Sequence, residues 1–92
     1  MQFAWDKRKA ASNLTKHGVS FTEAASVFGD PLSVTFPDPD HSEDEERFIT
    51  IGMSETGQVL LFAHADRAGA IRIISARKAT RAERSYYEEN ES

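Results

Sequence analysis

One run of fourteen residues constrains this chain more than any other: Ile71-Arg72-Ile73-Ile74-Ser75-Ala76-Arg77-Lys78-Ala79-Thr80-Arg81-Ala82-Glu83-Arg84. Its first half is short, apolar and β-branched, the composition of a central strand. Yet it carries Arg72 and Arg77, where a strand buried on both faces carries no charge. Thr80-Arg81-Ala82-Glu83 is a capping box, so the strand must run straight into a helix that continues to about residue 89. Guanidinium groups fixed on a strand point to a bound anion, because their planar fork matches paired oxygens.

The rest of the chain supplies partners for that strand. Asp6 is a helix N-cap with Trp5 and Ala10 placed as a hydrophobic staple, and the helix from Lys7 ends at Gly18. Ala10, Leu14 and His17 recur at helical spacing while Lys9 and Lys16 fall elsewhere on the wheel, so this helix has a basic side. Ser20-Phe21-Thr22-Glu23 is a second capping box and Gly29-Asp30-Pro31 a stop, which predicts a second helix buried through Phe21, Ala24, Ala25 and Phe28. The period then changes to two. Residues 32–36, 47–53 and 58–65 read as strands, Pro37-Asp38-Pro39-Asp40 opens a loop, Ser54-Glu55-Thr56-Gly57 is a hairpin turn, and Arg67-Ala68-Gly69-Ala70 turns the chain into the opening run. The prediction is a single α+β domain over residues 1–92: two N-terminal helices, an antiparallel sheet of about four strands, and a C-terminal helix.

Ninety-two residues bury only roughly 60 to 65% of the unfolded chain's surface, which suffices for one small core. There is no cysteine, so packing alone must hold the fold, as is common in a reducing compartment. No apolar run approaches the ~18 residues that span a bilayer, and residues 1–6 lack the pattern of a signal peptide. The expectation is a cytoplasmic protein with no membrane partner. A net charge of −4 argues against nucleic acid until its distribution is read. Residues 38–46 hold six acids and no Lys or Arg, and Glu88, Glu89 and Glu91 add three; without those nine acids the chain carries +5. Six of its bases lie between Arg67 and Arg84 against the single acid Glu83.

Four sets of residues bear on chemistry. Arg47, Arg67, Arg72 and Arg77 fall at or beside strand ends, and several guanidiniums converging on one sheet make a phosphodiester site. Arginine cannot act as a base, so a second kind of residue is required. His17, His41, His64 and Glu46 are the titratable candidates. Cleavage of RNA by its own 2′-hydroxyl needs only a general base, a general acid and positive charge for the transition state, and a histidine or glutamate with arginines covers these roles without a cofactor. His64 and Arg67 point to opposite faces if their strand stays regular, unless a turn at Arg67 releases the constraint. Asp38, Asp40, His41 and Asp44 could be drawn as a metal site, but the spacing fits no calcium loop and a solvated acidic loop is the favoured reading. Among Phe3, Trp5, Tyr86 and Tyr87, Trp5 reads as core, whereas Tyr87 on the last helix is placed to stack a base or donate a hydrogen bond.

These residues, taken in order, form a pattern. Phe3-Ala4-Trp5-Asp6, Asn13, Lys16-His17-Gly18-Val19-Ser20-Phe21, Ala24, Phe28, Asp30-Pro31, Glu46-Arg47, Ile51-Gly52, Arg67, the run 71–84 and Tyr87 resemble the BrnT toxin family over nearly the whole chain. The resemblance implies a RelE-like fold and an intracellular ribonuclease toxin of a type II toxin–antitoxin pair, one that blocks translation by cutting RNA without metal. It also implies neutralisation by a small BrnA-like ribbon-helix-helix antitoxin, with operator DNA bound only through that antitoxin. The matching positions make Glu46, Arg67 and Arg77 candidate catalytic residues, joined by His64, at a place where similar family members often show His or Tyr, with Arg47, Arg72, Lys16, His17 and Tyr87 on the RNA. The alternative is a catalytically weak module that docks a DNA-binding antitoxin to form an autorepressor.

Overall fold

A computed structural model describes residues 1–41 and 45–89. The first helix, α1 (Lys7–His17), starts where its cap predicts: the Asp6 carboxylate accepts from the backbone N–H groups of Arg8 and Lys9 at 2.8 and 3.1 Å. It stops at Gly18, whose φ of 70° a side-chain-bearing residue adopts only with strain. The second helix, α2 (Phe21–Ser26), passes into a 3₁₀ turn at Val27–Gly29. Ser20 Oγ accepts from the Glu23 N–H at 3.0 Å, which is half of the expected capping box. The Glu23 carboxylate is used elsewhere. It accepts from the hydroxyls of Ser54 and Thr56 at 2.8 and 2.6 Å and thereby ties α2 to the turn after the third strand.

Five strands follow the order β1-β5-β4-β3-β2: β1 (Gln2–Ala4), β2 (Val34–Pro37), β3 (Arg47–Met53), β4 (Val59–Arg67) and β5 (Ala70–Lys78). The expected four-stranded antiparallel sheet is therefore a five-stranded mixed one, with β1 parallel to β5 through Gln2↔Ala70, Phe3↔Ile71 and Ala4↔Arg72. Three residues are too few to show a period of two, and their partner lies at the far end of the chain. Pro37 closes β2 on the outer edge, where its missing N–H leaves no ladder bond unmade. Ala68 and Gly69, with φ of 51° and 82°, make the tight turn between β4 and β5.

Both N-terminal helices cover one face of the sheet. Val19, Phe21, Ala24 and Val27 pack there against Leu60, Phe62, Ile73 and Ala76, with Phe3, Trp5, Ala10, Ala25 and Phe28 around them. The last helix, α3 (Arg81–Glu89), begins with a complete capping box: Thr80 Oγ1 accepts from the Glu83 N–H and Glu83 Oε1 from the Thr80 N–H. The helical order matches expectation. No described helix is long and apolar enough to cross a membrane. Of the acidic segment drawn as a possible metal site, Asp44 and the His41 side chain lie outside what the structure describes.

Candidate functional site

Side chains alternate along a strand, so the core fixes where every other residue points. In β4, Leu60, Phe62 and His64 are buried on the helix-covered face; Leu61, Ala63, Ala65 and Arg67 belong to the other. Ala65 is fully buried and lies in register between Arg47 of β3 and Arg72 of β5. Arg47, Arg67 and Arg72 thus share the face that α1 and α2 leave uncovered.

An irregularity in the ladder produces this alignment. The pair Ala63↔Ser75 is followed by His64↔Ile73, which leaves Ile74 without a counterpart. In a regular ladder Arg72 would lie opposite Asp66, on the core side. The bulge moves it opposite Ala65 and onto the arginine face, the re-aiming that bulges beside functional sites commonly perform. It also lets Ile73 and Ala76, three residues apart, both enter the core.

A carboxylate joins the arginines. Glu45 Oε2 accepts from Arg67 at 3.1 Å, and Glu45 Oε1 accepts from the Nη2 of Arg72. The Glu45 and Arg72 side chains are only 18% and 22% exposed, whereas that of Arg67 is 65% exposed and opens to solvent. Glu45 was not among the candidates read from the sequence. No periodic signal marks it, because residue 45 lies in a bend ahead of β3, where strand alternation does not fix the direction of a side chain. Glu46, the candidate beside it, is exposed at the same end of the sheet.

The remaining predicted residues go elsewhere. His64 is 4% exposed, on the core side, with its ring against Phe28, Phe48 and Phe62 at centroid distances of 5.2, 5.8 and 5.3 Å. Its Nε2 lies 2.7 Å from Thr50 Oγ1, and its Nδ1 has no hydrogen-bond partner among the described residues. Burial lowers its pKa against an opposing pull from Asp66, so the ring is held neutral. Strand β4 continues through Arg67, so no turn brings His64 to the arginines.

Arg77 shares their face but stands five residues along β5 from Arg72, about 16 Å at the rise of a strand. It donates two bonds to Glu83, at 2.8 and 2.9 Å. The bond to Arg77 is the largest cause that lowers the Glu83 carboxyl, to about 2, and the same contact raises Arg77. Arg77 therefore anchors α3 rather than completing the cluster.

Tyr87 is a correction of the same kind. It is 1% exposed and its hydroxyl donates to Asp30 Oδ2 at 2.5 Å, so its ring has no face to offer a base. Lys16 and His17 are exposed at the end of α1, where with Lys9, Ile74 and Ser75 they line a shallow hollow beside the outer edge of β5, apart from the arginine face.

With this geometry in hand, one comparison decides the family. The model for the ribonuclease toxin BrnT of type II toxin–antitoxin systems matches residues 5–83. The chain belongs to the BrnT family. Among solved structures, the crystal structure of the Brucella abortus ribonuclease toxin BrnT is similar, with a TM-score of 0.69 and 23% identity over 88% of this chain and 99% of that one. At that identity the likeness speaks for the fold: a BrnT-like α+β domain with three helices and a five-stranded mixed sheet. No curated protein sequence gives a match. Type II membership implies an antitoxin partner.

Proposed function

We propose that this BrnT-family chain is an endoribonuclease that cuts RNA without a metal ion, on the sheet face where Arg47, Arg67 and Arg72 converge, and so halts translation. One observation carries the reading: Arg67 and Arg72 meet at the Glu45 carboxylate, with Arg47 in register beside them, on the sheet face that α1 and α2 leave uncovered. Arg67 and Arg72 take the scissile phosphate with Arg47 beside it, an arrangement able to hold two or three anionic oxygens at once. A carboxylate takes the proton from the 2′-hydroxyl, and the 2′ oxygen attacks phosphorus. The bond to the 5′ oxygen breaks, that oxygen takes a proton from water, and the products are a 2′,3′-cyclic phosphate and a 5′-hydroxyl. The arginines neutralise the charge that grows in the transition state.

Glu45 is assigned as the base in preference to Glu46 because it touches two of the arginines. His64 is left out because the sheet stands between it and them. In keeping with the resemblance, the architecture is read as RelE-like. The partner is read as a BrnA-like ribbon-helix-helix antitoxin that alone contacts operator DNA.

The test is cleavage of single-stranded RNA in EDTA. The protein should cut, and Arg67→Ala should lower the rate at least ~10²-fold with the circular dichroism unchanged. Glu45→Gln should lower it ~10²- to 10⁴-fold while Glu46→Gln changes it little. Undiminished cleavage by Arg67→Ala would overturn the site. The competing reading of a catalytically weak docking module has one observation in its favour: Glu45 already neutralises Arg67 and Arg72 in the free chain. It prevails if the protein, expressed alone, leaves host growth and RNA intact.

A further inference from the structure

The arginine face continues into an apolar groove that the proposed chemistry does not use. A hollow of about 470 Å³ lies between the sheet and α3, lined by Phe36, Ile51, Leu61, Ala82, Glu83 and Tyr86. Phe36 and Tyr86 are 40% and 46% exposed, among the few large hydrophobic side chains of the described residues that face solvent. Ile51 and Leu61 are paired across β3 and β4 and form its floor. Ile49 and Ala63, the next pair on the same face, connect that floor to Ala65 and the arginines. Ile51 and Arg47 are four residues apart on β3, about 13 Å. The face therefore presents an apolar end and a cationic end on one rigid surface.

We propose that this groove is the docking surface for a segment of the antitoxin, an amphipathic stretch whose apolar side chains enter between Phe36, Leu61 and Tyr86 and whose acidic side chain reaches Arg67 and Arg72. The inference rests on the toxin reading for its partner. Charge complementarity supports it directly: Glu45 shows that a carboxylate fits between those two arginines. The spacing sets how far apart the occupant's two anchors stand. An acid and an apolar anchor about 13 Å apart are four residues distant in an extended segment, or eight to nine in a helix. RNA is the poorer occupant of the apolar end, because the residues that line it include no cation and its one acid, Glu83, already holds Arg77, so a phosphate backbone gains no partner there. A protein segment needs none and gains the burial of two aromatic rings.

The test pairs Phe36→Lys with Tyr86→Lys in the full chain and measures two quantities: affinity for the purified antitoxin encoded beside this chain, and RNA cleavage by the toxin alone. The double variant should bind the antitoxin at least ~10-fold more weakly while its cleavage rate stays within about twofold of the unaltered protein. Unchanged antitoxin affinity in a folded double variant overturns the proposal, as does a fall in cleavage with affinity intact, which would make the groove an RNA surface. If the lysines prevent folding, the unaltered protein answers the question. The methyl resonances of Ile51, Leu61 and Ala82 should shift on addition of the antitoxin, and shifts confined to other residues overturn the proposal. Failure of the wild-type protein to cut RNA would remove the nuclease reading and leave the binding result standing.

Discussion

Beyond the three residues that β1 pairs, the outer edge of β5 has no strand beside it among the described residues, and the side-chain amide of Asn13 takes that place. Asn13 Nδ2 donates to the carbonyls of Ala76 and Val19 at 2.8 and 3.0 Å, and Asn13 Oδ1 accepts from the Ala76 N–H at 3.0 Å. One α1 side chain thus reproduces the pair of bonds a neighbouring strand would make and locks α1 onto β5. Replacement by Ala leaves buried backbone groups without partners, at about 1–3 kcal/mol each. Asn13→Ala should lose about 3 kcal/mol or more in total, read as a lower urea midpoint at unchanged slope. His64 offers a second test at this scale. Its folded pKa lies below the ordinary 6.5, so beneath about pH 6.5 the unfolded chain takes up a proton that the folded chain refuses. Stability should fall as pH drops from about 6.5 towards the lowered folded value, and this contribution should be flat above it. The melting temperature between pH 7.5 and 5.5 measures the slope, which His64→Gln should flatten.

At the scale of elements, α3 is the most lightly held. Tyr87 is its one buried residue, and Arg77–Glu83 is a partly exposed pair of the kind worth no more than about 1 kcal/mol. The other attachment is Asp30. Burial works to raise its pKa, but hydrogen bonds from the Met53 N–H, the Tyr87 hydroxyl and the Leu32 N–H outweigh it and keep the carboxylate charged. Tyr87→Phe removes a bond to a charged acceptor, worth about 1.5–3 kcal/mol, and α3 amides should exchange correspondingly faster while those of β4 stay protected. The helices were legible because caps are local: Asp6, Ser20, Thr80 and Gly18 each act within a few residues. Strand β1 was not, since three residues carry no period and their partner lies almost seventy residues away. Nor was the bulge at Ile74. Read as a regular strand, β5 places Arg72 and Arg77 on opposite faces, and only the pairing with β4 shows them on the same one. Glu45 was not legible because it precedes β3, where no strand period fixes its direction, and neither was the burial of Tyr87, because no local signal says that Asp30 will receive its hydroxyl.

For the whole molecule, the net charge of −4 conceals a division of labour between faces. Two helices and an aromatic layer bury one side of the sheet, and the other carries its arginines beside an apolar groove. The central claim is that the bulge-aligned arginines, and not every arginine of the sheet, do the cutting. Its most direct test compares RNA cleavage in EDTA by Arg72→Ala and Arg77→Ala at a temperature where both are folded. Arg72→Ala should lose at least ~10²-fold, and Arg77→Ala should stay within a few-fold of wild type. Equal losses in the two variants, or a greater one in Arg77→Ala, would contradict it.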